Sequence, residues 1–187
     1  MKLDEAGVIA HKWMRYLSPS CERIDIAGSI RRGKMEVTDI DIVCIPKIIT
    51  EPDLFGNSGT QINLLEDLVY RVTLDNGAAL TMNGPRHKKI ALPEGIKLEL
   101  WIVLPPAQWG AIFMIRTGPA EFSHWMVTPR RAGGALPSYL KEKDGSLWHG
   151  SKQIEVPEEA DYFRIINMDY VEPRYRLAHW MIEKAAG

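Results

Sequence analysis

The 187-residue chain predicts an α+β fold, a mixed sheet packed on helices and followed by a small C-terminal α/β lobe. Three observations carry this reading: apolar residues at helical spacing in two segments, several short alternating runs rich in β-branched residues, and a second half broken by Gly and Pro.

The elements follow in order. Ile9, Trp13 and Leu17 share a helical face, so residues 3–17 are expected to form a helix. Residues 23–27 alternate as a strand that ends at Gly28-Ser29, and residues 39–45 form the next strand, with Ile40 turned into the core. Residues 50–59, rich in Gly, Pro, Asn and Ser, predict a loop. Ile62, Leu65, Val69 and Val72 then mark a helix stopped near Asn76-Gly77. Strands are expected around 79–82, 88–92 and 97–103, and a compact helix over 107–115 is entered through Pro105-Pro106. Beyond it, Gly133-Gly134, Pro137, Asp144-Gly145 and Pro157 fragment the chain into a small mixed lobe. Trp13, Trp101 and Trp109 lie in periodic apolar segments and are expected in the core, whereas Trp125 is more open. Cys21 and Cys44 match no metal spacing and predict buried thiols in a reducing compartment.

Two short segments carry chemistry. Gly28-Ser29-Ile30-Arg31-Arg32-Gly33 presents a Gly-Ser turn whose backbone N–H groups and hydroxyl can hold a phosphate, with an arginine fork beside it. Asp39-Ile40-Asp41 follows on a strand, where residues i and i+2 point to one face, so its carboxylates converge and can bind divalent metal. Attack on the α-phosphate of a nucleoside triphosphate develops charge that a pair of Mg2+ ions, roughly 3.5–4 Å apart, commonly stabilises. The two segments are therefore the halves of a nucleotidyl-transfer site.

Gly28-Ser29-x-Arg31-Arg32-Gly33, with five residues before Asp39-x-Asp41, resembles the catalytic signature of the family X DNA polymerases. Later segments agree in order. Leu98-Glu99-Leu100 resembles the strand carrying that family's third carboxylate. Thr117-Gly118 resembles the turn beside the incoming sugar, and Tyr170-Val171-Glu172-Pro173-Arg174-Tyr175-Arg176 resembles the closing Tyr-x-Glu-Pro-x-x-Arg segment. The resemblance runs from about Leu3 to Arg176. It implies a nucleotidyltransferase palm over residues 1–105 and a nucleotide and nascent-pair binding subdomain over 106–187. It leaves no room for the family's lyase or helix-hairpin-helix modules. It further implies Asp39, Asp41 and Glu99 as catalytic metal ligands for two Mg2+ ions, with Mn2+ as a substitute. Gly28, Ser29, Arg32, Ile115, Arg116, Thr117 and Gly118 would face the nucleotide, and Ser123, His124, Trp125, Arg130 and Arg131 the nucleic acid. The chain departs from the pattern at three places. Glu99 stands where the family has Asp, and the extra methylene moves the carboxylate by about 1 Å, a displacement that can cost ~100-fold in rate. Ile115-Arg116 replaces an aromatic pair, so weak discrimination between deoxyribose and ribose is expected. Ala120 and Ser123 replace polar base-reading residues.

Charge runs against a strong nucleic-acid grip: 23 Lys and Arg face 24 Asp and Glu, a formal net charge of -1. Arg86-His87-Lys88-Lys89 and Arg130-Arg131 are the candidate basic surfaces. The leading reading is a minimal Mg2+-dependent DNA polymerase that extends a primer from dNTPs, filling short gaps in repair, with primer or gapped DNA and a nucleoside triphosphate as partners. One alternative is a nucleotidyltransferase acting on RNA, a protein or a small molecule; another is a catalytically weak nucleotide- or DNA-binding module. No signal-peptide core and no membrane-length apolar run are seen, so a monomeric cytoplasmic protein without membrane contact is expected, economical enough for a virus or phage to encode and acting inside the host cell.

Overall fold

The computed structural model describes residues 1–51 and 59–176. The expected loop over 50–59 is therefore described only at its ends. Thr50 lies in strand β3 (Ile48–Glu51), which pairs antiparallel with β4 (Thr60–Asn63), and residues 52–58 lie outside the described set.

Helix α1 (Leu3–Leu17) buries Ala6, Ala10, Trp13 and Leu17. The buried stripe thus runs through the small Ala6 and Ala10, which let the helix lie close to the sheet, while Ile9 is only half-buried. Strands β1 (Cys21–Ile26), β2 (Asp39–Pro46), β5 (Ala79–Asn83), β6 (His87–Ala91) and β7 (Lys97–Ile102) form one sheet in the order β1-β2-β7-β6-β5. Its mixed character comes from a single parallel pair, β2 with β7. Helix α3 (Leu64–Asp75) begins at Leu64 because Asn63 Oδ1 accepts from the Leu65 N–H. Ile62, expected in that helix, lies instead in β4.

The strand period of two divides the sheet faces. Ile40, Ile42, Cys44, Leu98, Leu100 and Ile90 point toward α1 and α3 and pack with Trp13, Leu17, Leu65 and Val69 in the main core. Cys21 and Cys44 are both buried there as free thiols. The opposite face carries Asp39, Asp41, Glu99 and Trp101, with Val43 packing against Trp109 and Phe113 of helix α4 (Trp109–Thr117).

The chain continues through α5 (Ala120–Val127), a three-stranded antiparallel sheet of β8 (Leu140–Lys143), β9 (Ser146–His149) and β10 (Lys152–Ile154), and α6 (Glu159–Ile165). These elements share a second core of Met114, Phe122, Met126, Leu147, Tyr162 and Phe163. No helix among the described residues is long and apolar enough to cross a membrane.

Candidate active site

The Gly-Ser turn is the start of a one-turn helix, α2 (Gly28–Arg31), entered from extended Ala27. Gly28 has φ +57°, and a Cβ there would lie 1.9 Å from Oδ2 of Asp41. Only glycine lets the phosphate turn and the carboxylate strand meet this closely. Ser29 beside it is buried, and its Oγ has no hydrogen-bond partner, an orphaned donor where a phosphate oxygen would be bound.

Asp41 and Glu99 are register partners across the parallel β2–β7 pair, and Asp39 lies two residues earlier on the same face. Burial pushes the Asp41 carboxyl up to about 6, and the neighbouring Asp39 and Glu99 charges add to the effect; the bond from Trp101 Nε1–H to Asp41 Oδ1 (3.0 Å) and the Arg32 charge oppose it. Glu99 is held differently. Lys89 Nζ lies 2.9 Å from Oε1 and His87 Nε2 lies 3.1 Å from Oε2. Burial works against ionisation of Glu99, but these two partners outweigh it and hold its carboxyl below the usual range. The donor set is the right kind for a hard divalent cation: carboxylates on one strand face beside a phosphate turn. Its third member, however, is engaged by Lys89 and His87, and among the described residues no three His, Cys, Asp or Glu side chains are gathered closely enough to hold an ion.

Both arginines of the first motif reach the Thr-Gly turn. Arg32 Nη1 donates to the Thr117 carbonyl (2.6 Å), and Arg31 Nη1 to Thr117 Oγ1 (2.7 Å). Arg32 remains near the acidic pair: burial lowers its pKa, opposed by the charges of Asp41 and Asp39. Arg31 also forms a bidentate pair with Glu159 at 2.9 and 2.7 Å. Glu159 in turn accepts from Arg176 Nη1 (2.6 Å), whose side chain is fully buried, and from the Tyr170 hydroxyl (2.8 Å). The first motif and the closing segment, 139 residues apart at Arg31 and Tyr170, thus converge on one buried carboxylate.

Arg116 lies over the Trp101 ring, its Cζ 3.4 Å from the ring centroid, and its Nε is buried without a hydrogen-bond partner. Burial lowers its pKa, opposed by Asp41, Glu99 and Glu142. Gly28, Ser29, Arg32, Asp39, Asp41, Glu99, Arg116 and Thr117 are therefore brought to one site. Ile115 is not. It packs in the second core, and its carbonyl accepts from Ser123 Oγ (2.6 Å).

Of the residues expected to meet nucleic acid, Ser123 is buried with its hydroxyl turned inward onto Ile115, and Arg130 directs Nε and Nη2 onto the carbonyls of Ala135 and Ile166. His124 and Arg131 are exposed, and Trp125 is half-buried. The basic surface expected at 86–89 does not form, because strand alternation sends its members apart. Lys88 is buried against Glu66 (2.7 Å), His87 and Lys89 turn to Glu99, and Arg86 Nη2 donates to the Pro105 carbonyl. Trp101, expected in the core, belongs to the site. The signal was its spacing, since it lies two residues from Glu99 on the same strand face.

No family model matches the chain. DNA polymerase lambda of Rattus norvegicus is 27% identical over 164 residues, 80% of this chain. The chain spans 28% of the length of that relative. Among solved structures, Leishmania infantum polymerase beta, a ternary P/T complex, superposes with a TM-score of 0.67 at 15% identity, over 95% of this chain and 76% of that one. The chain shares the fold of that polymerase beta. On this fold, α2 and β2 bring the Gly-Ser turn and the carboxylate pair together, and α4 with the Thr117-Gly118 turn borders the site from the C-terminal side.

Proposed function

We propose that this chain is a Mg2+-dependent nucleotidyltransferase of the DNA polymerase type, adding nucleotides from dNTPs to a primer 3'-OH, with short-gap repair synthesis as its use. The observation that carries the reading is the contact between Gly28 and Asp41, which sets a phosphate-binding turn directly against a strand carboxylate. Both comparison proteins are polymerases, which supports it.

In this reading Asp39 and Asp41 would hold the divalent cations, and Glu99 would join them in exchange for its contacts with Lys89 and His87. Cations bound there would supply Lewis-acid stabilisation of the reacting phosphate and a lowered pKa for the attacking hydroxyl. The chain's own groups do the rest. The orphaned Ser29 Oγ and the backbone N–H groups of α2 bind the triphosphate, and Arg32 adds positive charge beside them. Arg116, held over the Trp101 ring, forms the wall beside the sugar. The Glu159 hub fixes α2 against the C-terminal lobe, so the nucleotide is clamped between two elements that cannot drift apart.

A second reading keeps the chemistry and changes the acceptor to RNA, a protein or a small molecule; the net charge of -1 and the loss of the 86–89 basic surface favour it. One experiment separates them. Purified protein with Mg2+ and labelled dNTPs or NTPs is offered gapped DNA, primed templates, single strands and RNA. Extension of the DNA primer supports the first reading; label on RNA alone, or on no nucleic acid, refutes it.

A further inference from the structure

His87, Trp101 and Arg116 form a three-layer stack. The His87 ring lies 3.6 Å from the Trp101 ring with planes 5° apart, and Arg116 Cζ lies 3.4 Å from that ring. At these separations two groups cannot share one face, so the indole is sandwiched between imidazole and guanidinium. The edges of the stack face the carboxylates. Trp101 Nε1–H donates to Asp41 Oδ1, and His87 Nε2 meets Glu99 Oε2. Asp41 Oδ2, by contrast, faces Gly28 and the phosphate turn.

These oxygens have a specific place in the site. Asp41 and Glu99 are register partners on adjacent strands, and the stack engages one oxygen of each, Oδ1 of Asp41 and Oε2 of Glu99. The indole cannot swing clear alone, because one face is covered by His87 and the other by Arg116.

We propose that Trp101 is a positioning residue whose indole N–H, backed by the His87 and Arg116 stack, competes with a divalent cation for the Asp41 carboxylate and so sets the affinity of that site. The proposal rests on the cation-dependent reading given above. It makes the site's cation affinity a property of the stack as well as of its carboxylates. It also links cation entry to Arg116, which loses its platform when the indole shifts.

The test is Mn2+ binding followed by electron paramagnetic resonance of the free ion, in the parent, in Trp101→Phe and in His87→Phe. Phenylalanine at 101 keeps an aromatic layer and removes the N–H; at 87 it keeps the stack and removes the ring nitrogens. Trp101→Phe should bind Mn2+ about two- to tenfold more tightly, the worth of one hydrogen bond no longer in competition. His87→Phe should move in the same direction. Equal or weaker binding by Trp101→Phe overturns the proposal. A parent that binds no Mn2+ overturns the cation-dependent reading itself and the proposal with it. Should Trp101→Phe not fold, the parent alone decides: its Trp101 indole 1H–15N signal should move upfield as Mg2+ is added and the carboxylate partner is lost, and a signal that stays in place refutes the competition.

Discussion

Replacing Asp41 with asparagine should make the protein more stable at alkaline pH while ending its activity. The carboxyl is pushed from an ordinary 3.8 to about 6, first by burial and then by Asp39 and Glu99. The folded state therefore holds this proton more tightly than the unfolded chain does. The resulting stability is fully present below 3.8, declines as pH rises toward 6, and is gone above it. At about 1.36 kcal/mol per pH unit, the displacement corresponds to about 3 kcal/mol of lost stability at pH 8, an order-of-magnitude figure. Of this, about 1.4 kcal/mol accrues between pH 5 and pH 8. Asparagine keeps an oxygen for the Trp101 N–H and carries no charge, so Asp41→Asn escapes that decline. Urea denaturation of parent and variant at pH 5 and pH 8 measures it: the variant's advantage should grow with pH. Saturating Mg2+ should narrow the gap at pH 8, since binding stabilises only the parent. A stability difference that is flat with pH, or a parent more stable than Asp41→Asn at pH 8, would refute the account of Asp41 as a buried, repelled carboxylate.

The remaining expectations concern the neighbours of Asp41. Gly28→Ala should lower nucleotidyl transfer by ~100-fold or more, because its Cβ would displace Asp41 Oδ2 and a φ of +57° strains alanine, and single-turnover rates give the answer. Glu99→Gln should lose most activity while Glu99→Asp retains or improves it; a fully active Gln variant removes Glu99 from the cation site, and Glu94, paired with Lys12, offers no replacement. Glu159→Gln should destabilise the protein by about 3–5 kcal/mol in urea titration, since Arg176 and Arg31 would lose their shared counter-charge, and a loss under 1 kcal/mol would mean the hub is dispensable. Arg116→Phe should raise the dNTP-to-NTP efficiency ratio, whereas an unchanged ratio separates Arg116 from sugar choice.

Much of the fold and half of the site were legible in the chain alone, because local rules govern them. Strand alternation fixed Ile40 inside and Asp39 with Asp41 on the opposite face, and alternating runs placed the five strands of the main sheet within a residue or two, though not β3, β4 or β8 to β10. A one-residue cap decided the start of α3: Asn63 anchors Leu65, and Ile62 falls outside the helix although its apolar spacing fits. Side-chain destinations were less legible. Arg86 to Lys89 read as one basic run, yet the pleat sends Lys88 into the interior and His87 with Lys89 to Glu99, because a strand deals neighbours to opposite faces. Arg31 and Arg32 read as alternative sources of the forked donor, and Glu159, 128 residues later, claims Arg31 through a bidentate pair. Trp101 read as core because its strand is apolar; the parallel pairing of β2 with β7 instead places its indole N–H on Asp41. The sequence by itself determined which carboxylates and which glycine turn exist and which way each strand faces, since those depend on residues one or two apart. Tertiary structure alone decided which oxygens remain open and which cations hold them, since that depends on strands and helices that meet only when the chain has folded.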